Sequence, residues 1–62
     1  MNSRQAKRYL ASKGATFKPG KGGHLLVELN GRRSVLPMHG GAKEIGKGLW
    51  LAILKQLDIE ET

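Results

Sequence analysis

The chain has 62 residues, eleven Lys and Arg against five Asp and Glu for a net charge of +6, and no cysteine. That length gives a single domain over 1–62 with a thin core, because a chain of this size buries only about 60% of its unfolded surface. A disulfide framework and a thiolate zinc site are excluded, no apolar run approaches the ~20 residues of a membrane span, and the amphipathic start M-N-S-R-Q-A-K-R-Y-L has no apolar signal core, so a cytoplasmic protein is expected.

Asn2 or Ser3 caps a first helix, and Gly14 stops it. Ala6, Tyr9 and Leu10 share one side at helical spacing, with the stem of Lys13 beside them. Arg4, Lys7 and Arg8 share another, which reads first as a solvated face and second as a phosphate contact. Ala15 to Lys18 form a short strand ended by Pro19. Gly20 to Gly23 make a loop of three glycines and Lys21. His24 to Leu29 form the second strand, Asn30-Gly31 a type I′ turn, and Arg32 to Leu36 the third strand, closed by Pro37.

The two-residue turn sets the register. Leu29 faces Arg32, Val27 faces Ser34 and Leu25 faces Leu36 on one side; Glu28 faces Arg33, Leu26 faces Val35 and His24 lies near Pro37 on the other. Leu25, Val27, Leu29 and Leu36 make the core face, which leaves His24 on the open face beside the Glu28–Arg33 pair. Met38 to Gly41 is a loop. A last helix runs from Glu44 or Lys47 to Leu57, with Ile45, Leu49, Ile53 and Leu57 as its core stripe and Trp50 and Leu54 at its margin, core packing being the default reading for Trp50. This order, helix–three-stranded antiparallel sheet–helix with both helices on one sheet face, is an α+β fold of the double-stranded-RNA-binding-domain type. Fold alone does not assign function.

The charge is uneven. Residues 1–57 carry all eleven basic side chains against only Glu28 and Glu44, a balance of +9. Such a field selects polyanions, and nucleic acid ranks above an anionic membrane because no helix joins a large basic face to bulky apolar anchors. Within it lies G-K-G-G-H-L-L-V-E-L-N-G-R-R-S-V-L-P. RNA is cut without metal when a base takes the 2′-hydroxyl proton, a cation stabilises the phosphorane and an acid protonates the leaving 5′-oxygen. Histidine, with an ordinary pKa near 6.5, suits either proton role. His24 has Lys21 on the glycine loop and Arg32, Arg33 and Ser34 on the paired strand as candidate neighbours, and Gly22 and Gly23 remove side chains that would hold a nucleic-acid backbone away. Spacing alone leaves His24 open between this role and a strand histidine with a backbone partner.

His39, in M-H-G-G, reads as a phosphate contact, a second acid or an ordinary loop residue. Gly40-Gly41 and Lys43 precede a helix start, a place that favours anions. Two histidines with so few acids nearby give no metal site, and no Walker-type pattern is present.

The stretch G-G-H-L-L-V-E-L-N-G-R-R-S-V-L-P-M-H, followed by K-E-I and by L-W-L-A-I-L-K-Q-L, resembles the HicA family of toxins, the mRNA interferases of bacterial and archaeal toxin–antitoxin modules. The likeness runs from S-R-Q-A-K-R-Y-L-A-S-K-G to I-L-K-Q-L, nearly the whole chain. It implies a double-stranded-RNA-binding-like fold, an endoribonuclease acting on mRNA, and a HicB antitoxin that covers the catalytic site. The family's catalytic histidine follows the glycine loop at the start of the second strand, which is His24 here. Many members carry two adjacent histidines there; this chain has Gly23-His24-Leu25, and Lys21 or His39 are the candidates for the second proton-transfer group. RNA contacts are expected from Lys21, Gly22, Gly23, Arg32, Arg33, His39 and Lys43, with no metal or cofactor, no membrane and a monomer outside the antitoxin complex. Two other readings stand beside this one: a non-catalytic double-stranded-RNA-binding module using the same basic surface, and a basic assembly protein that docks a partner through an exposed Trp50–Leu54 edge.

Overall fold

Asn2 starts the first helix with a reciprocal cap: its side chain accepts from the Gln5 N–H at 2.8 Å, and the Gln5 side chain accepts from the Asn2 N–H at 2.9 Å. The computed structural model describes residues 1–38 and 44–60. Helix α1 spans Ser3–Ser12, and Gly14 ends it at φ +96°, in the left-handed region that a residue with a Cβ adopts at a cost. Strand β1 follows at Thr16–Pro19, then a short 3₁₀ turn at Lys21–Gly23, β2 at His24–Leu29, β3 at Arg32–Pro37 and helix α2 at Lys47–Gln56. Asn30 and Gly31 have φ of 51° and 80°, the pair of positive values that the I′ turn requires.

The sheet order is β1-β2-β3, antiparallel throughout. The β2–β3 register matches the expected one at every pair from Leu29 opposite Arg32 to His24 opposite Pro37. Val27, Leu29 and Leu36 from the inner face join Ala6 and Leu10 of α1 and Ile53, Leu54 and Leu57 near α2 in one core. Both helices therefore cover the same face, and the other face, with His24, Leu26, Glu28, Arg33 and Val35, is left exposed. Two serines bind the layers together. The buried Ser3 hydroxyl donates to the Pro37 carbonyl at 2.6 Å, and the buried Ser34 hydroxyl donates to Oε1 of Gln56 at 2.6 Å. Each such bond contributes about 1 kcal/mol net. The approach to α2 is fixed to the start of α1, where the Ile45 N–H donates to the Met1 carbonyl at 2.7 Å and the Met1 amine pairs with Glu44.

Strand and helix ends and the position of Leu49 differ from expectation: β3 includes Pro37 and α2 ends at Gln56, each one residue from the expected end. Strand β1 begins at Thr16 and includes Pro19, because the N–H of Ala15 is used in the helix cap, on the Leu10 carbonyl. Pro19 is tolerated on an edge strand. Of the expected stripe Ile45, Ile53 and Leu57 are buried and Leu49 is not, at 45% exposed; Trp50 at 7% and Leu54 at 3% are core, which is the default reading for Trp50, and not margin. Ile45 lies ahead of the Gly46 cap and is not helical, so the count of fours from it places Leu49 inward wrongly while Ile53 and Leu57 fall inside. The inward line is Trp50, Ile53, Leu54 and Leu57, the i, i+3, i+4, i+7 pattern of a helix face. Trp50 meets Tyr9 of α1 edge-on, ring centroids 5.4 Å apart at 74°. An exposed Trp50–Leu54 docking edge does not exist, since both side chains are core.

Candidate active site

His24 is the first residue of β2, exposed on the open face, and two bonds of its own backbone and one of Gly23 before it hold the turn. The Gly20 N–H donates to the His24 carbonyl at 2.9 Å, the His24 N–H donates to the Lys21 carbonyl and closes the 3₁₀ turn, and the Met38 N–H donates to the Gly23 carbonyl at 3.1 Å. Gly22 and Gly23 have φ of 62° and 77°, which glycine adopts without steric cost. A Cβ at Gly22 would lie 4.0 Å from Cδ2 of the His24 ring, and one at Gly20 would come within 3.1 Å of the His24 carbonyl. The glycine loop thus folds around the histidine, and the imidazole opens into a shallow depression lined by Pro19, Gly20, Lys21, Leu26 and Val35. Lys21, Gly22 and Gly23 are brought to His24 as the sequence predicts.

The structure does not bring Arg32, Arg33 or Ser34 to that place. Arg33 faces Glu28, four residues along β2 from His24, which is about 13 Å at the rise of a strand. Its Nε pairs with Oε2 of Glu28 at 3.6 Å. His24 is therefore on the same face as that ion pair and not beside it. Arg32 faces Leu29 at the hairpin tip, with its Nε 3.9 Å from Oδ2 of Asp58. Ser34 points into the core. The physical reason is the hairpin itself: residues just after its turn pair with the end of β2, whereas His24 is at the beginning. His39 and Lys43, with Gly40-Gly41, lie outside the described residues.

One cation that sequence reasoning missed is on the site's face. Lys18 faces Leu26 across the β1–β2 ladder, so it shares the open face with His24, one diagonal step away, about 7–8 Å. The signal available was Phe17: a half-buried aromatic packed on the core turns its neighbour outward. A broader concavity runs from Lys18 over Leu26 and Val35 to Arg33 and to Leu49 and Gln56 of α2, and it shares Leu26 and Val35 with the His24 depression. Among the described residues no three of His, Cys, Asp and Glu come together. The chemistry that these side chains themselves offer is proton transfer by an imidazole next to lysine ammonium groups.

This is a small α+β domain that presents a histidine and flanking lysines on an open sheet face, groups that can move a proton and attract an anion. The chain belongs to the HicA toxin family: the family model described as HicA toxin of bacterial toxin-antitoxin matches residues 3–59. It is 44% identical over 61 residues to a protein of Pseudomonas fluorescens named "Probable mRNA interferase HicA", with 98% of this chain and all of that one covered. It is 42% identical over 60 residues to "Probable mRNA interferase HicA 2" of Photorhabdus laumondii, with 97% of this chain and 100% of that one covered. Its structure superposes with a TM-score of 0.80, at 41% identity, on a chain in the crystal structure of the E. coli HicAB toxin-antitoxin complex, covering 90% of this chain and 95% of the other.

Proposed function

We propose that this chain is the toxin of a type II toxin–antitoxin pair, an mRNA interferase of the cytoplasm that cuts RNA with His24 and without metal. The observation that carries the reading is the exposed His24 imidazole, with its backbone pinned by bonds to Gly20 and Lys21 and a glycine loop bearing Lys21 folded around it. His24 takes the proton of a ribose 2′-hydroxyl. The 2′-oxygen attacks the adjacent phosphorus, the bond from phosphorus to the 5′-oxygen breaks, and that oxygen leaves as a hydroxyl after gaining a proton. In-line displacement puts the entering and leaving oxygens on opposite sides of phosphorus, so one imidazole does not reach both. The Lys21 ammonium, across the depression, supplies the second proton and offsets the charge of the phosphorane. The products are a 2′,3′-cyclic phosphate and a 5′-hydroxyl. Arg33, further along the same face, holds the RNA strand a few nucleotides from the cut.

The names of the relatives as mRNA interferases support this reading, and the HicAB neighbour supports a HicB-type antitoxin as partner. An antitoxin surface lying over His24 stops the enzyme by excluding RNA, and the toxin's positive charge speeds that association. The test is induction of the wild-type chain beside His24→Ala, with growth and total mRNA followed over minutes. Arrest and mRNA loss with the wild type alone are expected. Arrest by a folded His24→Ala protein would remove His24 from the mechanism.

A further inference from the structure

We propose that the open face of the sheet is a bed for unpaired RNA, in which Leu26 and Val35 seat a nucleobase next to the cut and Lys18 holds a neighbouring phosphate. The proposal rests on His24 being the site of RNA cleavage. Leu26 and Val35 face each other across the β2–β3 ladder and are 47% and 42% exposed, although inward-facing Val27 and Leu36 next to them are buried. They follow the His24–Pro37 pair by two residues on the same face. Both line the His24 depression and the broader concavity, so a chain that enters one and continues into the other passes over them.

Charge decides the occupant. On this face the apolar pair lies between Lys18 on β1, Lys21 on the loop and Arg33 on β3, with Glu28 the one acid on the described strands. A ligand that meets cations on either side and hydrocarbon between them alternates anionic groups with flat apolar surfaces. Unpaired RNA does so, because every base has an exposed π-face and every linkage a phosphate. Duplex RNA hides its base faces and presents only phosphate and 2′-hydroxyl edges, leaving Leu26 and Val35 with nothing to pack on.

The test measures affinity and cleavage separately. A His24→Ala background reports binding of a labelled unpaired RNA and of the same RNA annealed to its complement; the active protein reports kcat, KM and cut positions. The bed predicts at least tenfold tighter binding of the unpaired strand. It predicts that Leu26→Asn with Val35→Thr weakens that binding about tenfold, raises KM, and changes the base preference next to the cut, with an unchanged melting temperature. Lys18→Gln, a second and independent variant, weakens binding a few-fold and flattens its salt dependence without changing base preference. Wild-type affinity, KM and cut positions in both variants would overturn the proposal, as would equal affinity for duplex. Loss of HicB-type antitoxin binding with RNA binding intact would give the face to the protein partner instead and also overturn it. Cleavage that survives His24→Ala would strike the catalytic reading, and the binding arm would still decide the bed.

Discussion

The N–H of Gly20 donates to the carbonyl of His24 at 2.9 Å, and a Cβ at residue 20 would come within 3.1 Å of that same oxygen. Gly20 has an ordinary extended backbone, φ −113°, so its role is close approach and not an unusual dihedral. Gly20→Ala is predicted to push β2 away by a few tenths of an ångström at its first residue. Single-turnover cleavage should slow about tenfold, since small misplacements of a reacting group are costly. Urea denaturation should show a loss of no more than about 1 kcal/mol. Gly22→Ala, at φ +62°, should instead cost about 1–2 kcal/mol in backbone strain, and Gly22→Asn less.

Trp50 and Leu49 are adjacent in sequence and opposite in fate. Trp50→Ala removes a buried ring and its contact with Tyr9, and should cost about 3–5 kcal/mol. A domain of this length has only about 3–9 kcal/mol to lose. Leu49→Ala should cost under about 1 kcal/mol. Thermal melts of the two variants check the phase of α2; similar losses would restore the stripe through Leu49.

Salt dependence separates Arg32 from the loop lysine. RNA binding should weaken with salt, with a slope of about −0.7 for each phosphate contact to a single strand. Lys21→Gln should raise Kd and reduce the slope by about one contact. Arg32→Gln should do neither, because Arg32 is next to Asp58 at the hairpin tip and on the opposite register from His24. Affinity titrations at several salt concentrations read both.

Asp58 follows the Leu57 cap of α2 at φ 57°, a left-handed position that Asn tolerates as well. Its carboxylate lies at the negative end of the helix, and its pair with Arg32 is solvent-exposed and worth little. Asp58→Asn should therefore stabilise the fold by a few tenths of a kcal/mol, whereas Asp58→Val, whose branched side chain resists positive φ, should destabilise it. Chemical denaturation of both variants gives the two signs.

What was legible in the sequence follows from how locally each feature is determined. Asn30-Gly31 prescribes its own backbone and with it every β2–β3 pair, and the apolar set Leu25, Val27, Leu29 and Leu36 then marks the core face, so the open placement of His24 could be read. The outward turn of Leu49 could not, because the apolar Ile45 that starts the apparent stripe precedes the helix and is held by the N-terminal segment, although Ile53 and Leu57 of that stripe are core. Closeness along the chain misled for Arg32 and Arg33, since a hairpin carries residues on its return strand away from those that begin the outgoing one. Lys18 needed the β1–β2 register, which depends on the glycine turn and its bond from Gly20 to His24. The identity of the histidine came from its motif; the backbone bonds to Gly20 and Lys21 that hold it came only from the fold.

The most direct test of the account is to incubate the purified wild-type protein and His24→Ala with unpaired RNA in the presence of a strong chelator and to identify the product ends. Cleavage by the wild type alone, leaving 2′,3′-cyclic phosphate and 5′-hydroxyl ends, is the predicted result. Cleavage that requires a divalent ion and leaves a 5′-phosphate, or equal cleavage by the two proteins, would contradict it.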